Sequence, residues 1–131
     1  MNIIVTGASS GIGREIVMKL AADSRNRLIA IARNKEALRS LAEGCPGRNI
    51  TGIPMDIAGP GSSLRELKKS LSIDPGRRDI LINNAGHLVN RPFTEHSENE
   101  IASLVSVNFT AAAALIAELM PLFARGSHIV N

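Results

Sequence analysis

The sequence predicts an α/β fold: a doubly wound parallel sheet of strand order 3-2-1-4-5, with helices on both faces. Three observations predict it. Short apolar runs, such as Ile3-Ile4-Val5 and Leu28-Ile29-Ala30-Ile31, lack polar alternation and suit strands covered on both faces. Segments whose apolar residues recur at helical spacing lie between those runs. Small-residue turns follow the first run (Gly7 to Gly13) and the fourth (Ala85-Gly86), where a sheet of that order opens its ligand crevice.

The elements follow in order. Asn2–Thr6 reads as a buried strand, and Ile12, Ile16, Val17, Leu20 and Ala21 as the inner face of a helix. Arg27–Ala32 is the second strand. Asn34 caps a helix carrying Leu38 and Leu41, which stops at Gly44. Ile50–Asp56 is the third strand, bent at Pro54. Ser62 or Ser63 starts a helix with Leu64, Leu67 and Leu71. Asp79–Asn83 is the fourth strand. A polar connection from Ala85 to Ser97 leads into a long helix from about Glu98 to Phe123, and Ser127–Val130 begins a fifth strand. Strands alternating with helices imply right-handed parallel crossovers.

Composition narrows the function. At 131 residues, 44% apolar and 21% charged, the chain is expected to be one globular domain or part of one. The net charge of +3 comes from scattered Lys and Arg, and there is no Trp or Tyr to stack bases. A nucleic-acid partner is therefore not expected. Cys45 is the sole cysteine, so neither an internal disulfide nor a metal cluster is expected. No leader pattern and no run of membrane-spanning length stands out, so the expectation is a cytoplasmic protein without a membrane partner.

Thr6-Gly7-Ala8-Ser9-Ser10-Gly11-Ile12-Gly13 carries the chemistry. A helix N-terminus presents unpaired N–H groups and partial positive charge, and so attracts phosphate. Gly7 lets the chain turn sharply. Gly11 and Gly13 remove Cβ atoms where a pyrophosphate or a neighbouring strand must come close, and Ser9 and Ser10 add hydroxyl donors. The arrangement reads as a dinucleotide cradle, although its glycine spacing is not the G-x-G-x-x-G fingerprint.

Together with Asn83-Asn84-Ala85-Gly86, this T-G-x-x-x-G-x-G segment closely resembles the short-chain dehydrogenase/reductase family, a Rossmann-type fold. The resemblance runs from residue 3 to residue 131. It implies that residues 1–131 are the NAD(P)-binding domain, the N-terminal part of a single-domain reductase, truncated after strand 5. Gly7, Ser9, Ser10, Gly11, Ile12 and Gly13 would hold the phosphates, with Asn83, Ala85 and Gly86 across the crevice. Arg33 and Asn34 would follow the second strand beside the adenosine ribose, and Asp56 and Ile57 would flank the adenine. Strand two ends without the acid that accepts from the 2′-OH of NAD: Ala32 stands at that position and Arg33 follows. Arginine's planar fork fits phosphate, so the cofactor implied is NADP(H) rather than NAD(H). The residues alone leave Arg33 open as an exposed loop cation and Asp56 open as a turn cap.

Asn108 is an unusual mid-helix residue, expected on one face with Leu104, Ala112 and Leu115. It is either a buried structural Asn or, as the resemblance implies, the residue that supports the active-site lysine through water. The resemblance also implies a catalytic Ser, Tyr and Lys. The chain has no tyrosine and stops a few residues before the family's serine. The implied whole is an oxidoreductase acting on a small carbonyl or alcohol, for example of the 3-oxoacyl reductase type, of which these residues are the inactive cofactor-binding half. The other reading is a non-catalytic dinucleotide-binding module. The long helix, with an apolar stripe of Leu104, Leu115 and Leu119, is expected to be exposed here and to pair with its copy in a homodimer or homotetramer. His87, His96 and His128 carry no assigned role.

Overall fold

A computed structural model describes residues 1–45, 47, 49–59, 67–68 and 78–131. Its sheet has five parallel strands: β1 (Asn2–Thr6), β2 (Arg27–Ala32), β3 (Ile50–Pro54), β4 (Asp79–Ile82) and β5 (His128–Val130), in the order β3-β2-β1-β4-β5. This is the expected topology. β1 is central: Asn2 is paired with Arg27 on one side and Asp79 on the other.

Side chains alternate across the strands, so each strand feeds two cores. Ile3 and Val5 of β1 join Leu28 and Ala30 of β2 beneath helices α1 (Gly11–Ala21) and α2 (Lys35–Glu43), where Val17, Leu38 and Leu41 are buried. Ile4, Ile29, Ile31 and Leu81 point the other way and meet Leu115 and Leu119 of the long helix. Asn34 caps α2 as expected, its side chain accepting from the Ala37 N–H at 3.0 Å. Of the helix expected from Ser62 or Ser63, the described residues are Leu67, which is buried, and Lys68, which pairs with Glu118; Leu64 and Leu71 lie outside them.

The long helix is interrupted. It runs as α3 (Glu98–Val105), one wide π turn (Ser106–Thr110), α4 (Ala111–Leu119) and a tight last turn, Met120–Leu122. A π turn holds an extra residue and shifts the phase of everything after it. Asn108, inside that turn, is therefore exposed, whereas Leu115 is 1% exposed, so the two do not share the expected face. The expected bare stripe is likewise corrected. Leu115 and Leu119 are core, Leu104 is half-buried, and the apolar residues facing out are Val105, Phe109 and Met120. A second correction concerns length. Glu98–Leu122 is one helical rod of 25 residues, long and apolar enough by those measures to cross a membrane. In this fold Ala111, Leu115 and Leu119 are buried, the two leucines in the sheet's second core.

Candidate functional site

The site forms where β1 and β4 end. Gly7 leaves β1 with φ of 67°, and Gly11 opens α1 with φ of 53°, a left-handed conformation that only glycine adopts without strain. The three glycines of the turn serve different ends. A Cβ on Gly7 would sit 2.8 Å from the Ala85 Cα; one on Gly13 would sit 2.3 Å from the Gly7 oxygen; one on Gly11 would meet nothing within 4 Å. Gly7 and Gly13 thus let β4 and α1 close onto the turn, and Gly11 faces open space. Ser10 is extended at the N-cap of α1, yet its side chain makes no capping bond, and the first turn holds no acid. Among the described residues no side chain caps the positive end of α1, which is the end that favours an anion.

A latch joins the two strand ends. The Thr6 hydroxyl, on a residue 1% exposed, accepts from the Asn84 N–H at 3.0 Å and the Ala85 N–H at 2.9 Å. The Asn84 side chain donates to the Thr6 carbonyl at 3.0 Å and, more weakly, to that of Gly7 at 3.4 Å. Sequence reasoning named Thr6 only as the first residue of the turn segment and gave it no role of its own; a threonine closing the apolar run Ile3-Ile4-Val5 was the available signal. Thr6→Val keeps the shape and removes the acceptor, so the Ala85 N–H loses its partner and the Asn84 N–H keeps only the Ile82 carbonyl, at 3.1 Å. Urea titration should show about 2 kcal/mol of lost stability, mostly restored by Thr6→Ser.

Asn108 clamps the next segment. Its Oδ1 accepts from the His87 N–H at 2.6 Å, and its Nδ2 donates to the His87 carbonyl at 2.8 Å. The π turn brings a side chain from mid-helix onto the loop after β4, in keeping with the frequency of such turns at functional sites. Farther along, Ser97 and Glu100 form a reciprocal cap at the start of α3, and Arg91 pairs with Glu100. The Ser97 backbone and hydroxyl, with Arg91 adding charge, hold the Glu100 carboxyl below the usual range.

These elements enclose a cleft of about 440 Å³. It collects Gly7, Ser9, Ser10 and Ile12 from the turn, Arg33 after β2, Asp56 and Ile57 after β3, and Ala85 and Gly86 after β4. Each of these was a sequence candidate. Met55, Asn84, His87, Ser103 and Val107 also line it and had been given no binding role. Arg33 is exposed and has no hydrogen-bond or ion-pair partner among the described residues. Asp56 does cap a turn, its Oδ1 accepting from the Ala58 N–H at 3.0 Å.

Gly11, Gly13 and Asn34 support the cleft without lining it. Asn83 and Asn108 border a neighbouring hollow of about 320 Å³ with Phe109, Ala112, Ile116 and Asn131. There the Asn83 side chain donates to the Asn131 Oδ1 at 2.8 Å, and its own Oδ1 is buried with no partner among the described residues.

Comparison with known proteins matches residues 1–131 to the family model described as short chain dehydrogenase. An uncharacterized oxidoreductase of Staphylococcus aureus (strain USA300) is 32% identical over 133 residues, which cover 98% of this chain and 55% of that protein. The chain spans about half the length of the curated relatives it matches. Among solved structures, the short-chain dehydrogenase from Sphingobium yanoikuyae in complex with NADPH superposes with a TM-score of 0.76 at 31% identity, covering 92% of this chain and 47% of that one. The bulky-bulky ketone specific alcohol dehydrogenase from Comamonas testosteroni gives a TM-score of 0.76 at 31% identity, covering 92% and 48%.

Proposed function

The chain belongs to the short-chain dehydrogenase family, and we propose on that footing that it binds NADP(H) in the cleft as the cofactor-holding part of a carbonyl reductase or alcohol dehydrogenase. One observation carries the reading: the N-terminus of α1, which its N-cap side chain leaves uncapped, and the Arg33 guanidinium, unpaired among the described residues, open onto the same cleft. Both are arranged for anions, and a dinucleotide bearing a 2′-phosphate offers anions at two separate points. The missing Cβ of Gly11 leaves open space beside the turn, so the backbone there accepts a close-lying group.

Each residue then has a task. Ser9, Ser10 and the first N–H groups of α1 would hold the diphosphate. Arg33 would hold the 2′-phosphate, with Ala32 leaving room for it. Asp56 keeps one carboxylate oxygen for the adenine amino group while the other caps its turn, and Met55 and Ile57 supply apolar walls. Asn108, by fixing the His87 backbone, keeps the loop after β4 from closing over the cleft. When bound, the nicotinamide supplies the hydride chemistry, and the protein positions it. The 131 residues contain no tyrosine, so this reading gives them the binding task and not the proton transfer.

Calorimetric titration of NADP⁺ and NAD⁺ tests the assignment. Arg33→Ala, or Ala32→Asp, should weaken NADP⁺ by about 1.5–3 kcal/mol, the worth of a charge-assisted hydrogen bond, and NAD⁺ far less. Equal losses for both cofactors would remove Arg33 from the site.

A further inference from the structure

His87 lines the cleft, and the assignments above leave its side chain unused. Its backbone is fully engaged: the N–H donates to Asn108 and the carbonyl accepts from it. The ring nitrogens have no partner among the described residues, and the residue is exposed. What His87 has to offer the cleft is therefore its imidazole, on a backbone held at both polar atoms.

Position decides what it could bind. Arg33 follows β2 and His87 follows β4, with β1 and its glycine turn between them. Two strand spacings, about 10 Å, separate those flanks. A ligand anchored at Arg33 reaches His87 only if it continues past the turn, as the second nucleotide of a dinucleotide does. The charged residues on the cleft are Arg33 after β2 and Asp56 after β3. The turn contributes none, and α3 and the π turn contribute the uncharged Ser103 and Val107. No lining carboxylate thus stands on the His87 side of the glycine turn.

We propose that the His87 imidazole is a second anchor for the dinucleotide, donating to a phosphate or ribose oxygen of the nucleotide that lies across the glycine turn from Arg33. This rests on the dinucleotide reading of the cleft. An imidazole donates to such an oxygen when neutral and more strongly when protonated. Through Asn108, the π turn of the long helix would set how well the second nucleotide is held.

The test separates the two halves of the ligand. The protein at its natural length is titrated calorimetrically with NADP⁺ and with adenosine 2′,5′-bisphosphate, which offers the Arg33 half alone. His87→Glu removes the donor and adds an anion. Its structural bonds are made by the backbone, so the variant keeps the fold, which its thermal melt confirms. NADP⁺ should weaken about tenfold or more in His87→Glu, while His87→Gln, which keeps a donor, stays within about threefold of the natural protein. The bisphosphate should bind all three forms alike. Unchanged NADP⁺ affinity in His87→Glu, with the bisphosphate still bound, overturns the proposal and leaves the dinucleotide reading standing. Equal losses for both ligands assign His87 a structural role and overturn it too. If neither ligand binds the natural protein, the dinucleotide reading falls and this proposal falls with it.

Discussion

Gly13→Ala will destabilise the fold by about 3 kcal/mol or more, although alanine is the better helix former by about 1 kcal/mol. The added Cβ would lie 2.3 Å from the Gly7 carbonyl oxygen and 2.4 Å from the Asn84 Nδ2. Neither atom is free to retreat. The Gly7 oxygen belongs to a backbone in a left-handed conformation, and the Asn84 amide is bonded to the Thr6 carbonyl. Relief requires moving α1 off the sheet, which opens the core around Val17, or breaking the contact between β1 and β4. Gly11→Ala is the control. Its Cβ meets nothing within 4 Å, so the cost is the left-handed φ alone, about 1–2 kcal/mol. Urea denaturation of both variants ranks them; a Gly11 variant less stable than the Gly13 variant would reverse the assignment of the two glycines.

Leu115→Ala should cost about 2–5 kcal/mol, whereas Phe109→Ala should change stability by less than about 0.5 kcal/mol. Leu115 is 1% exposed and packs on Ile4, Ile29 and Leu81 from the second face of the sheet, while Phe109 is 71% exposed. On a regular helix the two positions lie about 120° apart. The π turn that holds Phe109 sets the rotation of α4, so that Ala111, Leu115 and Leu119 meet the sheet. Thermal or urea unfolding of the pair reads the phase of the helix directly. Comparable losses at both positions would place Phe109 in the core as well.

The strands were legible because each is a short apolar run closed by a turn residue. Arg27–Ala32 coincides with the strand read from the sequence, and Ile50–Asp56 and Asp79–Asn83 shorten to Ile50–Pro54 and Asp79–Ile82. Strand order followed from the parallel crossovers and from the two small-residue turns. Residues of the cleft that lie in those turns, such as Gly7 and Gly86, were legible for the same reason. Three features were not. Periodicity assumes 3.6 residues per turn throughout, so it cannot register a π turn, and Asn108 was set on the face of Leu115 although it borders a hollow with Ala112. Burial of Leu115 and Leu119 depends on the far side of the sheet, which no local pattern encodes. The Thr6 latch pairs residues 78 and 79 positions apart, and nothing beside Thr6 in the sequence announces its partners at Asn84 and Ala85.

That latch also bears on the order in which the chain assembles. β1 finds β2 through a short crossover, Asn2 against Arg27, but finds β4 only after a loop about three times as long, Asn2 against Asp79. The longer closure costs about 1 kcal/mol more chain entropy, so the unit of β1, α1 and β2 is the natural nucleus and β4 docks onto it afterwards. The Thr6 hydroxyl receives its donors at that late docking step. Thr6→Val would then speed unfolding and leave the folding rate nearly unchanged, the signature of a contact made after the barrier. Stopped-flow measurements in urea separate the two limbs, and slower folding in the variant would move the latch ahead of the barrier. The cleft, which needs the ends of β1 and β4 side by side, is on this view completed only when the last long-range join is made.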